Sequence, residues 1–151
     1  MVDQNPVLSE EGVLLAYALT LLGTPYRWGG DDSLAGYDCS GLVCELLQSV
    51  GRLPHRTDLT AQGLYDRFRY IAMSLHGGRP DVGWLAFYGA TSKAVTHVGM
   101  YIADGLIIEA GGGGSSTTSR EAAEKQNAFV RIRPMAYRKD FIGLLPTKDV
   151  G

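Results

Sequence analysis

Apolar residues at helical spacing mark two segments near the start of the chain. The first runs through Val13, Leu14, Ala16, Tyr17, Ala18 and Leu21. Ser9-Glu10-Glu11 supplies a cap and an acidic first turn for it, and Gly23-Thr24-Pro25 ends it. The second carries Leu42, Val43, Leu46, Leu47 and Val50, with Asp38 and Ser40 at its opening and Gly51 past its end. Between them, Tyr26-Arg27-Trp28-Gly29-Gly30-Asp31-Asp32 predicts an irregular loop. A further short helix is expected through Leu59, Gln62, Gly63, Leu64 and Tyr65, capped by Thr57 or Asp58. His55 and Arg56, just before it, are candidates for a cleft wall. Arg69 to Met73 should then lead into a glycine-rich loop, where His76 is expected to be exposed and inert.

From Gly83 onward the period becomes strand-like. Candidate strands are Trp84–Tyr88, Val95–Ala103, Leu106–Ala110, Ala128–Arg133 and Phe141–Leu145. Asp104-Gly105 is a two-residue hairpin signal that pairs Ala103 with Leu106. Counting back from that turn sets Tyr101 opposite Ile108 and Glu109 opposite Met100. Gly111 to Thr118 predicts a flexible loop, and it lacks the Lys-Ser/Thr ending of a phosphate-binding loop. Alternation in Val130-Arg131-Ile132-Arg133 implies one wet face. Twenty glycines suggest many tight turns and a mixed or β-containing fold rather than a helix bundle, and 151 residues suit one domain, 1–151, with a single core.

Composition narrows the function classes. Fourteen Lys and Arg against sixteen Asp and Glu leave a net charge of −2, so there is no electrostatic footprint for nucleic acid or an anionic membrane. No Cys/His grouping has zinc-ligand spacing, and no metal or cofactor is expected. The two cysteines, Cys39 and Cys44, fall on one predicted helix with α-carbons about 8–9 Å apart, too far for a disulfide. Cys44 reads as a small buried apolar residue.

Cys39 differs because of where it lies. In the first turn of a helix it meets unpaired backbone N–H groups and the positive end of the macrodipole, both of which favour a thiolate. Such a nucleophile needs a base and a group to hold that base. His97 is the best-placed histidine, since a strand can aim it. Glu109 is an unexplained carboxylate in an apolar strand end, where burial without a partner is costly. With the register counted from the turn, the two meet only if twist or a bulge helps. A histidine satisfied within the sheet and a glutamate facing solvent would account for the same residues. Tyr26, stiffened by Pro25, suits a hydroxyl aimed at something, while Trp28 reads equally as core filler.

The segments Gly23-Thr24-Pro25-Tyr26-Arg27-Trp28-Gly29-Gly30, Tyr37-Asp38-Cys39-Ser40-Gly41-Leu42-Val43, Leu53-Pro54-His55-Arg56-Thr57 and His97-Val98-Gly99-Met100-Tyr101-Ile102, in that order, resemble the NlpC/P60 family of peptidoglycan peptidases. The resemblance spans roughly Leu14 to Ala110. It implies a papain-like α+β fold, N-terminal helices packed on a small antiparallel sheet, with the nucleophile at a helix N-terminus. It also implies a cell-wall cysteine endopeptidase that cuts the γ-D-glutamyl bond to a diamino acid in stem peptides. On that basis Cys39 is the nucleophile, His97 the base and Glu109 the third member, while Tyr26 polarises the carbonyl. Asp38, Ser40, Trp28 and Arg56 are the substrate-binding candidates.

The chain departs from the family pattern at two places. Glu109 stands where the family usually has His, Asn or Gln, and Trp84 where it usually has Asp. An amidase or acyltransferase using the same pair, and a catalytically silent tail or wall-binding domain, are the competing expectations. The glycine-rich loop and Arg131-Ile132-Arg133 look like phage-encoded versions, whose partners would be tail or lysis proteins. The first residues carry no basic segment, and Val13–Leu22 is too short to span a bilayer. The expectation is synthesis in the cytoplasm and delivery to the wall by a phage-type or other non-classical route, with a protein that stays in its cell, or a piece of a larger exported protein, as the alternatives.

Overall fold

A computed structural model describes residues 9–32, 34–74 and 78–148. Among these residues, three helices precede a five-stranded antiparallel sheet. Helix α1 spans Glu10–Thr20, and the Ser9 side chain accepts from Gly12 N as the sequence predicts. Helix α2 spans Cys39–Ser49 and buries Leu42, Val43, Cys44, Leu46 and Leu47, its whole inner face. Each such leucine contributes about 1.5–3 kcal/mol through burial, so α2 is the helix on which the core is built.

Two expectations change in this half. Residues between the first two helices are not all irregular: strand β1 (Asp31–Asp32) pairs with β2 (Gly36–Tyr37). Helix α3 spans Ala61–Ser74, so it starts later and runs longer than expected. Thr60, rather than Thr57 or Asp58, caps it, its hydroxyl accepting from Gly63 N at 3.0 Å. Residues from Arg69 onward continue the helix because Leu64 and Phe68 keep the apolar face going. His76 lies outside the described residues.

The sheet contains β3 (Leu85–Gly89), β4 (Val95–Ala103), β5 (Leu106–Gly111), β6 (Phe129–Pro134) and β7 (Phe141–Leu145), in the order β6-β5-β4-β3-β7. Leu85, Phe87, Val98, Met100, Ile108, Ala110 and Val130 face the core shared with the helices. Ala86, Tyr88 and Ile107 form a smaller cluster on the other face, covered by Met135 and Leu144.

The hairpin turn is as expected, with positive φ at Asp104 and Gly105. The register beyond it is not. A bulge between Tyr101 and Ala103 leaves Ile102 unpaired, so Tyr101 faces Ile107 and Met100 faces Ile108. That one-residue slip moves Glu109 from the face of Met100 to the face of His97. It is the bulge that the sequence left open.

The segment after β5 is also more ordered than a flexible loop. Thr117 accepts from Trp28 N through its carbonyl and from Gly114 N through its hydroxyl, and the hydroxyl also contacts Gln126. Helix α4 follows at Arg120–Gln126 with a Ser119 cap. In β6, Val130 is buried but Ile132 is exposed, and Arg131 and Arg133 are half-buried. Arg131 pairs across the ladder with Glu109, so the arginine side of the strand is not the wet one.

Candidate active site

Asp38 builds the surroundings of Cys39. It is the N-cap of α2, and its Oδ1 accepts from Gly41 N at 2.7 Å and from the Ser40 hydroxyl at 3.4 Å. Its Oδ2 accepts from Gly29 N at 3.1 Å, tying the Trp28-Gly29-Gly30 loop to the helix start. A Cβ at position 41 would overlap the Gly30 carbonyl oxygen, so only glycine lets this loop lie against the first turn. Burial raises the Asp38 carboxyl above its ordinary range, against the opposing bonds from Gly41 and Gly29. Cys39 follows directly, half-buried at the first helical position.

His97 and Glu109 meet on the second face of the sheet. Continuing the observed register puts Gly99 opposite Glu109 and Gly111 opposite His97, which makes His97 and Glu109 diagonal neighbours. The His97 Nε2 to Glu109 Oε1 distance is 3.3 Å. This diagonal needs an empty position: a Cβ on Gly111 would overlap Glu109 Oε2. His97 is 7% exposed and Glu109 1%, so neither faces solvent.

The electrostatics follow from these contacts. Burial opposes a charged His97, but Cys39 and the Glu109 carboxylate beside it outweigh that and push the imidazole up to about 9. With Nε2 on Glu109, Nδ1 is the nitrogen left for Cys39. Burial likewise opposes the Glu109 charge. The His97 ring, the Tyr137 hydroxyl and the Arg131 charge overcome it and hold the carboxyl below its usual value. The Tyr137 hydroxyl donates to Glu109 Oε2 at 2.9 Å. Tyr88 lies against the other side of the histidine, ring centroids 5.5 Å apart.

A cavity of about 360 Å³ opens on Cys39, lined by Trp28, Asp38, Ser40, Asp58, Leu59 and Thr96 among others. Trp28 is 55% exposed there, which rules out the core-filler reading. Tyr26 is buried beside the site, its hydroxyl pushed above its usual value by burial and by Cys39 and Asp38 nearby. Arg56 is not on this cleft. It has φ 63, and it lines an adjoining cavity of about 200 Å³ with Asp31, Glu45 and Gln48. The left-handed turn there leaves Asp58 to Ala61 to form the wall that His55 and Arg56 were expected to make. Cys44 is buried and its thiol is pushed up to about 11 by burial. A larger hollow, about 530 Å³ around Arg52 and Lys148, has neither cysteine nor histidine in its lining.

Sequence reasoning missed Asp58 and Thr60 on the cleft and Tyr88, Arg131 and Tyr137 around the His97–Glu109 pair. Arg131 had a signal in hand, since it falls three residues before the end of β6, beside the glutamate's strand. Tyr137 had none, being 28 residues from Glu109.

Comparison with known proteins agrees with the geometry. The chain is 34% identical over 101 residues to the probable peptidoglycan endopeptidase LytE of Bacillus subtilis, covering 65% of this chain and 26% of that protein. It is 42% identical over 95 residues to the probable endopeptidase Rv2190c of Mycobacterium tuberculosis, covering 62% and 21%. The chain thus spans about a quarter of the length of these relatives. In fold it is similar to the crystal structure of an NlpC/P60 family protein from Bacillus cereus, with TM-score 0.65 and 23% identity over 89% of this chain and 39% of that one. The profile of the NlpC/P60 family matches residues 23–133, a stretch that holds Tyr26, Cys39, His97 and Glu109. The chain therefore belongs to the NlpC/P60 family.

Proposed function

We propose that this chain is a cysteine endopeptidase of peptidoglycan, cutting stem peptides at the γ-D-glutamyl bond to the diamino acid. The observation that carries the reading is the buried His97–Glu109 pair, 3.3 Å apart, with Cys39 lining an open cleft at the start of α2. The names of the relatives support the substrate, and the bond follows from the family resemblance.

The reaction takes two steps. Cys39 Sγ attacks the scissile carbonyl carbon, its proton having passed to His97. The oxygen becomes an oxyanion, held by the Cys39 backbone N–H and the Tyr26 hydroxyl. Collapse breaks the C–N bond, His97 gives its proton to the leaving amine, and a thioester remains. Water, deprotonated by His97, then attacks the thioester, and Cys39 leaves as the restored nucleophile. Glu109 holds the imidazole and stabilises its charged form, as a carboxylate does in a serine-protease triad. Asp38 and Ser40 border the cleft where a peptide's free ammonium group would be held, and Trp28 forms its exposed wall. Both Asp38 oxygens already accept hydrogen bonds from the protein, so the carboxylate arrives pre-oriented.

On this reading the chain acts on the wall, outside the cytoplasm. Delivery by phage tail or lysis proteins is the route that the glycine-rich loop and Arg131-Ile132-Arg133 favour, and co-purification with particles would test it. The activity is tested by mass spectrometry of muropeptide stem peptides incubated with the protein or with Cys39→Ala. Cleavage after D-glutamate by the unsubstituted chain alone is expected. Cutting by neither, with retained binding to wall sacculi, would replace the enzyme reading with a silent wall-binding domain.

A further inference from the structure

We propose that Tyr137 is a positioning residue of the active site, a fourth member of the line Cys39–His97–Glu109 that fixes the carboxylate from outside the family-matched stretch. The inference rests on the enzymatic reading above. Tyr137 lies in a short 3-10 turn, Met135–Tyr137, four residues past the end of the family match.

The turn is held in place. Met135 N donates to Gly105 O at 2.7 Å, and the Tyr88 hydroxyl donates to Met135 O at 2.6 Å. Tyr88 therefore touches both the His97 ring and the turn that carries Tyr137, its centroid 6.0 Å from that of Tyr137. The Arg133 guanidinium sits over the other ring at 5.8 Å. These contacts aim the Tyr137 hydroxyl at Glu109 Oε2, 2.9 Å away.

A glutamate in this place needs such an anchor. It reaches His97 along a diagonal, at 3.3 Å, with three side-chain torsions to fix. Among the described residues its second oxygen would otherwise be a buried acceptor with no donor, since no hydrogen bond joins it to Arg131, whose Nε is itself buried without a partner among them. Tyr137 gives that oxygen a donor and so selects the rotamer in which the first oxygen faces His97. The charged and titratable groups around the pair are Cys39 on α2, Tyr88 on β3, His97 on β4, Arg131 and Arg133 on β6, and Arg138 and Asp140 after the turn. Burial and the neighbouring Glu109 both hold the Tyr137 hydroxyl above its usual value, so it stays a donor at neutral pH.

The test reads the nucleophile and not the substrate, which separates it from the proposed function. Cys39 of the full chain is alkylated with iodoacetamide at pH 7, with Cys39→Ala reporting any background at Cys44. Tyr137→Phe keeps the ring contacts and removes one oxygen. It is expected to slow alkylation about tenfold, as loss of one hydrogen bond to a charged group implies. Added to Glu109→Gln it is expected to change the rate less than twofold, because the hydroxyl acts through the carboxylate. With a cleaved muropeptide, kcat should fall and KM stay within twofold. An unchanged alkylation rate in Tyr137→Phe overturns the inference. So does an equal slowing in the Glu109→Gln background, since Tyr137 would then act elsewhere. Absence of muropeptide cleavage by the unsubstituted protein would sink the proposed function and leave the alkylation result standing.

Discussion

Replacing Glu109 with Gln removes one charge and almost no volume from the centre of the site. The effect can be sized from His97, which is raised from 6.5 to about 9 although burial opposes it. At 1.36 kcal/mol per pH unit this preference for the charged ring is worth about 3 kcal/mol. Cys39 and Glu109 share it, so losing the carboxylate forfeits part of it, on the order of 1 kcal/mol or about a factor of ten. Geometry adds to the loss. If the Gln amide nitrogen faces His97, Nε2 must accept and Nδ1 carries the proton, the wrong tautomer for taking one from Cys39. If the amide oxygen faces His97, its nitrogen meets the Tyr137 hydroxyl, which can turn to accept. The second orientation keeps a working tautomer, and so a residual activity. The assay is kcat/KM against pH on a cleaved muropeptide. The alkaline limb, set by loss of the His97 proton, should lie near pH 9 in the parent and about one unit lower in Glu109→Gln, with kcat down about tenfold. A limb that stays near 9, with kcat within twofold, would show that Glu109 does not hold the base.

The same pair ties stability to pH. His97 is raised on folding, so its contribution is complete below 6.5 and lost as pH rises through about 9; Glu109 is lowered, so its contribution is complete above 4.5 and lost as pH falls through its depressed value. Thermal melts should therefore show the largest gap between parent and Glu109→Gln between pH 4.5 and 6.5, and a pH-independent gap would contradict the linkage. Gly111→Ala should displace the Glu109 carboxylate and slow Cys39 alkylation about tenfold without unfolding the chain, since residue 111 does not need a positive φ. A rate equal to the parent's would mean that the diagonal has room to spare. Asp38→Ala removes the helix cap and the tie to Gly29, and urea denaturation should register a loss of about 2 kcal/mol, one from each bond. A loss under 0.5 kcal/mol would refute that structural role.

Local chemistry made much of this protein legible in its sequence. Ser9 and Asp38 cap their helices because short polar side chains reach the free N–H groups two or three residues on, a purely local event. Asp104-Gly105 forms its turn because both residues tolerate positive φ. The placement of Cys39 at a helix start therefore followed from neighbours in the chain, and so did the β4–β5 hairpin, whereas the sheet order β6-β5-β4-β3-β7 did not.

What the tertiary structure alone decided is how those pieces face one another. Side-chain direction in a strand has a period of two, so the unpaired Ile102 reverses which face Glu109 occupies, and no residue near Ile102 announces it. The turn at Arg56 likewise took the expected cleft wall away and left Asp58 to Ala61 in its place. Tyr137 reaches Glu109 across 28 residues of chain because β6 lies beside β5 and the chain turns back after Pro134. Contacts between distant segments cost loop-closure entropy and are fixed by the sum of the packing, not by any one stretch of sequence. The place of Cys39 was written locally; the carboxylate that faces His97 was set by register and packing.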